Sequence, residues 1–371
     1  VSEQSKKIRV CFIAPKAYPI FSPVVEKVFG GAEVDLYLLA TELAKDERYE
    51  VSFVVGDYGQ KDGEVREGVR LYKSVKTDRF MLLEGAKVWR ALRRADADIY
   101  MHEACSLGTT LAAIFCRRFG RKFVYRTASS REVDGGYFRH KPFRGMFVKW
   151  AFGAANVMIV QNDQDAENAM RTIGREVSVI RNICRVSSEG LGKKEGILWA
   201  GRSLRVKRPD LFLELARAFP DRRFVMICQQ GSGDASYEQL VKEAGRIGNL
   251  TFIRRVPYQE IDRYFERAAV FVNTSDSEGF PNTFVQAAKS GTPILSLRVN
   301  PDGFLDAQHC GRCADGDWER FCDLLRELAD TPLGAELGRN GQDYIRYYHD
   351  IETIIRQYKE MFAGLMEKGG E

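Results

Sequence analysis

Apolar strand-like runs alternate with helical stretches along this chain, and the alternation runs through twice with a single break. That pattern constrains the fold more than any other feature. Ile8–Ala14 (IRVCFIA) is an apolar run apart from Arg9, as in a strand buried on both faces. Val51–Val55, Val69–Val75, Ile99–Met101, Phe123–Arg126 and Val157–Gln161 repeat the signal, with helical spacing near 82–95, 106–118, 142–153 and 163–173. Val177–Ile183 is one more short apolar run, and a polar, helix-poor stretch follows from Cys184 to Gly196. The alternation then restarts. Strands are expected at Ile197–Ala200, Phe224–Cys228, Leu250–Ile253, Val270–Asn273 and Pro293–Leu297, with helices near 209–219, 236–246, 259–268 and 282–290. Such alternation builds parallel sheets covered by helices. The expected fold is α/β: two doubly wound, Rossmann-like domains with an interdomain cleft. They occupy residues 1–183 and 196–345, joined by a linker at 184–195; a helical tail from about Trp318 ends in a C-terminal helix at 346–371.

Composition removes several alternatives. Hydrophobic residues make up 44% and charged residues 29% of the 371, so the chain can bury a core and is not disordered. No apolar run approaches the ~20 residues that span a bilayer, and Val1–Ser5 is polar, so the expected compartment is the cytoplasm. The eight cysteines are scattered, mostly within apolar runs, as buried reduced thiols are. Cys310 and Cys313, with His309 beside them, form the one close group. A structural zinc site needs four ligands, so two partly buried thiols near a strand end is the simpler reading.

In doubly wound sheets ligands bind beyond the carboxyl ends of the strands, so the loops there carry the chemistry. The first is Gly201-Arg202-Ser203-Leu204-Arg205-Val206-Lys207-Arg208, before Pro209 as the first residue of a helix. Cations at a helix N-terminus are unfavourable by roughly 0.3–1 kcal/mol each. An anion held among Arg202, Lys207 and the free N–H groups would reverse that sign; without one, the segment is a solvated basic loop. The second loop runs from Asn273 to Thr283, with Asn282 expected as the N-cap and Gly291 closing the helix after Ser290. Gly279 admits a close backbone approach. Glu278 and Gln286 flank the first turn, and a carboxylate with an amide can hold vicinal hydroxyls; taken alone, Glu278 is equally a cap. Together the loops offer cations for a diphosphate and a carboxylate for sugar hydroxyls.

At this point the sequence resembles a known family. Glu278-Gly-Phe-Pro-Asn-Thr-Phe-Val-Gln286, then Gly291-Thr-Pro293, resembles the E-x7-E segment of family 4 retaining glycosyltransferases. Gly201-Arg202…Lys207 is similar to that family's Arg/Lys pair at the donor diphosphate, and Gly30-Gly31-Ala32-Glu33 to its glycine loop. The resemblance implies the GT-B fold, with the donor held by the C-terminal domain, the acceptor by the N-terminal one, and the last helix crossing back to the first domain. It implies metal-independent transfer of a hexosyl or N-acetylhexosaminyl group from a nucleotide-diphosphate sugar, with an α-linkage and no cofactor.

Carried over position by position, Arg202 and Lys207 would stabilise the leaving diphosphate, and Glu278 would hold the transferred sugar. Gly30, Gly31, Gly201, Gly279, Phe280, Pro281, Asn282 and Thr283 would line the donor, with Val256 and Tyr258 near the base. Gln286 stands where the family has its second Glu, which weakens or alters ribose binding. The loop after Phe123–Arg126, Thr127-Ala128-Ser129-Ser130-Arg131, lacks a histidine that many relatives carry there. His102 and Glu103, with Ser129 and Arg131, are the candidates beside the acceptor, and His102 packed in a polar pocket is the plainer alternative. The family's front-face route, with the leaving phosphate as base, needs no dedicated general base.

Charge placement bears on the acceptor. Net charge is +5, yet residues 101–150 carry ten Lys/Arg and three acids, a surplus of +7. Such a patch suits a lipid-linked or polysaccharide-precursor acceptor with anionic groups, or peripheral contact at the inner face of a membrane. Phe143, Phe147 and Trp150 recur there at helical spacing among Lys141, Arg144 and Lys149. The stripe reads first as core packing and second as an interfacial helix. Nucleic acid is not expected as a partner, because no recognition motif accompanies the charge. An NAD-linked dehydrogenase is disfavoured, since no G-x-G-x-x-G follows Ile8–Ala14. A weakly active or inactive nucleotide-sugar-binding subunit and a GT-B nucleotide-sugar epimerase are the competing readings.

Overall fold

The computed structural model describes residues 7–76, 82–185, 194–231 and 233–367, without the side chains of residues 82 and 83. The chain divides into two compact units, residues 1–183 with 352–371, and 184–351. Most of the expected linker, residues 186–193, lies outside the described residues.

The first unit is built on β1 (Ile8–Ile13), β2 (Tyr49–Val55), β3 (Glu64–Arg66), β4 (Val69–Lys73), β5 (Ile99–Glu103), β6 (Lys122–Arg126), β7 (Val157–Val160) and β8 (Ser178–Val179). Their order across the sheet is β3-β4-β2-β1-β5-β6-β7-β8. All pairs are parallel except β3 with β4. Val10–Ile13 of β1 are buried, which is why that run carries no polar alternation. Two expectations change here. The Val177–Ile183 run forms only the two-residue β8, and the short edge strand β3 has no apolar run to announce it. The C-terminal helix Ile351–Glu367 adds Ile354, Ile355, Tyr358, Phe362 and Leu365 as buried residues.

The second unit contains β9 (Ile197–Arg202), β10 (Phe224–Gln229), β11 (Leu250–Ile253), β12 (Val270–Asn273), β13 (Ile294–Ser296) and β14 (Gly311–Cys313). They are parallel, in the order β11-β10-β9-β12-β13-β14. This is the Rossmann order, and the chain reverses direction across the sheet between β9 and β12. The unexpected β14 holds Cys313, and Cys310 just precedes it. Both thiols are buried, and burial pushes Cys310 up to about 12 and Cys313 up to about 11. Among the described residues, no group of three or more His, Cys, Asp or Glu is placed to hold a metal ion.

The aromatic stripe at 143–150 is a correction. Helix Pro142–Ala154 buries Gly145, Val148, Ala151 and Phe152, whereas Phe143 is 74% exposed and Phe147 and Trp150 are each 40% exposed. The helix is apolar on two sides, and a sequence pattern apolar all round resembles that of a buried helix. Among the described residues no helix is long and apolar enough to cross a membrane.

Candidate active site

The reversal between β9 and β12 brings the two loops singled out in the sequence together. After β9 the chain makes a 3-10 turn at Arg205–Lys207, passes through Arg208 in the left-handed region (φ 48°) and enters helix Pro209–Ala218. The loop after β12 closes against this turn. The Asp276 N–H donates to the Val206 carbonyl at 2.8 Å. The buried Thr274 hydroxyl donates to the Lys207 carbonyl at 2.8 Å and accepts from the Trp199 indole N–H at 3.0 Å. Trp199 also explains Gly201: a Cβ there would lie 2.9 Å from the indole ring. These bonds fix the backbone that carries Lys207.

Lys207 Nζ is bonded and ion-paired to Glu278 Oε1, and the same oxygen accepts from Ser275 Oγ at 2.7 Å. The two side chains are only 24% and 13% exposed, so the pair is partly desolvated and worth more than a surface salt bridge. Arg208 pairs with Asp210 at 2.8 Å and lies 3.8 Å from Asp276, so its charge at the helix end is balanced from within. Arg202, at the end of β9, is half-buried and has no carboxylate partner among the described residues. Of the two arginines that flank this turn, it is therefore Arg202, not Arg208, that lacks a carboxylate partner among the described residues.

Helix Asn282–Lys289 starts one residue earlier than expected. Pro281 takes the capping position and Asn282 is the first helical residue, because Pro281 (φ −64°, ψ 127°) is pre-set for the extended cap conformation. Gly291, in the left-handed region (φ 61°), follows Ser290 at the other end as expected. The Phe280 side chain is buried against Phe304 (5.1 Å between ring centroids) and His349 (5.1 Å), so only its backbone can face a ligand. Gly279 and Pro281 are buried; Asn282, Thr283 and Gln286 are half-buried. Val256 shares the apolar cluster of Phe280, and Tyr258 opens a 3-10 turn after the edge strand β11.

In the first unit Gly30 caps helix Gly31–Leu43, and its N–H donates to Glu33 at 2.7 Å. His102 and Glu103, at the end of β5, are both buried. Burial pushes His102 down to about 4, so the ring is neutral near pH 7; its Nε2 lies 3.3 Å from Ser106 Oγ. Glu103 faces inward, 2.6 Å from the guanidinium of Arg126, which also reaches Asp35 at 3.0 Å and Asn182 at 2.9 Å. Burial raises Glu103 well above the usual carboxylate range, and Arg126 opposes that shift. The sequence placed Glu103 beside an acceptor, and the structure places it in a buried ion network. Ser129 caps the short turn at Ser130–Glu132, accepting from the Arg131 N–H at 3.4 Å, and Arg131 is exposed. Sequence reasoning missed Ser275, Thr274 and the Arg126 network. Ser275, three residues before Glu278, and Thr274 carry no spacing signal.

Both parts of the chain match transferase family models. Residues 29–186 match "Glycosyltransferase Family 4" and residues 185–343 match "Glycosyl transferases group 1". The chain has the two Rossmann-like domains of the GT-B fold. A curated relative, D-inositol 3-phosphate glycosyltransferase of Streptomyces coelicolor, is 30% identical over 167 residues, 40% of this chain and 36% of that protein. The curated relatives compared are matched over only 35–60% of their own length. Solved structures share the fold throughout. Sucrose-phosphate synthase from Thermosynechococcus elongatus superposes with a TM-score of 0.77 at 17% identity, covering 98% of this chain and 100% of that one. Anabaena HepE in complex with UDP gives 0.69 at 16% identity, covering 96% and 100%.

Proposed function

We propose that the chain is a retaining glycosyltransferase that moves a sugar from a nucleotide-diphosphate sugar to a glycan or lipid-linked precursor, forming an α-linkage. The observation that carries this reading is the cluster at the β9/β12 reversal, where Lys207 pairs with Glu278 in a loop that begins at Arg202, a cation with no carboxylate partner among the described residues. Arg202 and Lys207 take the diphosphate and stabilise the charge that grows as the sugar–phosphate bond breaks. Glu278 orients the sugar through its hydroxyls, and Gln286 binds the ribose in place of a carboxylate. Glu278 already accepts bonds from Lys207 and Ser275, which suits a positioning carboxylate better than a free nucleophile. A front-face displacement with the leaving phosphate as base follows, and donor binding needs neither metal nor cofactor.

The relatives' name specifies a phosphorylated acceptor, and HepE binds UDP. A uridine donor and an anionic acceptor on the basic first unit fit both. A lipid-linked acceptor would bring the protein from the cytoplasm to the inner face of a membrane. A thermal-shift panel of UDP, GDP, ADP and their sugars, followed by donor hydrolysis, tests the reading. One nucleotide class should stabilise the protein, with its sugar hydrolysed slowly. Stabilisation without turnover on any sugar would support an inert binding subunit, and a product epimeric to the donor sugar would support the epimerase.

A further inference from the structure

Helix Pro142–Ala154 holds an apolar ridge out in water. Phe143, Met146 (59% exposed), Phe147 and Trp150 lie opposite the side that packs on the core. At about 100° per residue the four fall within roughly one 100° arc. Lys149 sits on one shoulder of that arc, and Arg144 lies on the other side about 60° past Phe147, beyond the buried Ala151; both are exposed. Phe143 and Phe147 meet edge to face at 5.5 Å. The neighbouring helix Leu107–Arg118 packs against this one and exposes Ile114. Just past its end, Phe119 lies 5.5 Å beneath the Arg118 guanidinium. Folding of the unit does not account for exposed aromatics on a helix already packed on its other side. Of the three acids in the basic window, Glu103 and Glu132 are buried, so its surface is more one-sided than the sequence count.

We propose that this ridge docks the first unit on an anionic lipid bilayer. The helix lies in the plane of the headgroups, with the aromatics at the acyl boundary and Arg144 and Lys149 on lipid phosphates. The partner is a bilayer rather than a second copy of the chain, because two such positive faces would repel each other. The inference deepens the membrane-side placement proposed above and rests on it.

Flotation of the full chain with phosphatidylcholine vesicles, with and without phosphatidylglycerol, tests it at low and high salt. Binding should require phosphatidylglycerol and fall as salt screens the charges. It should drop at least tenfold in Phe143→Ser/Trp150→Ser and again in Arg144→Glu/Lys149→Glu. These positions are exposed, so the melting temperature and donor hydrolysis in solution should not change. Absence of vesicle binding, equal binding to both vesicle types, or binding indifferent to the substitutions overturns the proposal. So does a wild-type dimer, without vesicle binding, that Phe143→Ser/Trp150→Ser converts to monomer. Vesicle binding as described with no hydrolysis of any donor would leave the docking surface standing and remove the transferase reading.

Discussion

Replacing Glu278 with glutamine should separate donor binding from transfer. Glu278 and a donor phosphate would be two acceptors on the same Lys207 ammonium. With contacts of about 2.8 Å spaced around a tetrahedral nitrogen, they would lie roughly 5 Å apart. Two unit negative charges at that distance repel by about 3 kcal/mol at an effective dielectric near 20 and about 0.8 kcal/mol in bulk water. The side chains are neither sealed nor open, at 13% and 24% exposed, so the repulsion lies between those limits, about 1–2 kcal/mol. Glu278→Gln removes it, and the nucleoside diphosphate should bind roughly 5–30-fold more tightly. Transfer should move the other way. A charge-assisted bond to a sugar hydroxyl is worth about 1.5–3 kcal/mol, so turnover should fall at least tenfold. Calorimetric titration of the diphosphate and single-turnover transfer on the same preparation measure the two effects. Weaker diphosphate binding with transfer intact would refute the assignment of Glu278 to the sugar. A parallel loss of both would mean that the carboxylate only holds Lys207 in place.

Arg202→Ala should lower turnover at least tenfold, about 1.4 kcal/mol in barrier; wild-type steady-state rates would remove its role at the leaving group. Arg126→Met leaves Asp35 and Glu103 facing each other in the core and should cost about 3–5 kcal/mol in urea denaturation, while Glu103→Gln should cost far less. Equal losses in the two variants would show that the network is not held by its charges. Burial pushes Glu132 up to about 7 although Tyr125 (2.5 Å), Ala128 and Cys105 donate to it. Its folded value lies above the unfolded one, so the folded state binds the extra proton. The stability this group contributes is complete below about pH 4.5 and is lost as pH rises through about 7. Glu132→Gln should flatten that decline, and unchanged slopes in denaturation at about pH 5 and about pH 8 would contradict it.

The parts of the candidate site that the proposed ligand's chemistry would demand were legible in the chain. A diphosphate needs cations and a sugar needs a carboxylate, so Arg202, Lys207 and Glu278 stood out in loops whose place the alternation had already set. Residues that hold other protein groups were not legible. Thr274 matters because it meets the Lys207 carbonyl, 67 positions earlier in the chain. Arg126 draws its partners from positions 35, 103 and 182, which no local spacing connects. Three-residue strands such as β3 and β14 are too short for an apolar rhythm. Helix Pro142–Ala154 misled in the opposite sense: its Phe152 and Val148 face inward while Phe143 and Trp150 face out, and periodicity alone does not tell these two sides apart.

The helix Ile351–Glu367 belongs to the unit that begins at the other end of the chain. Its Tyr358 is buried near Arg126, and its Lys359 pairs with Asp46. On the ribosome the order of completion is therefore inverted. The later half can finish as soon as residue 351 has emerged, while the earlier half waits, missing one wall, for the last turns to be made. Protease added to chains arrested near Ile351 should spare the second unit and cut the first.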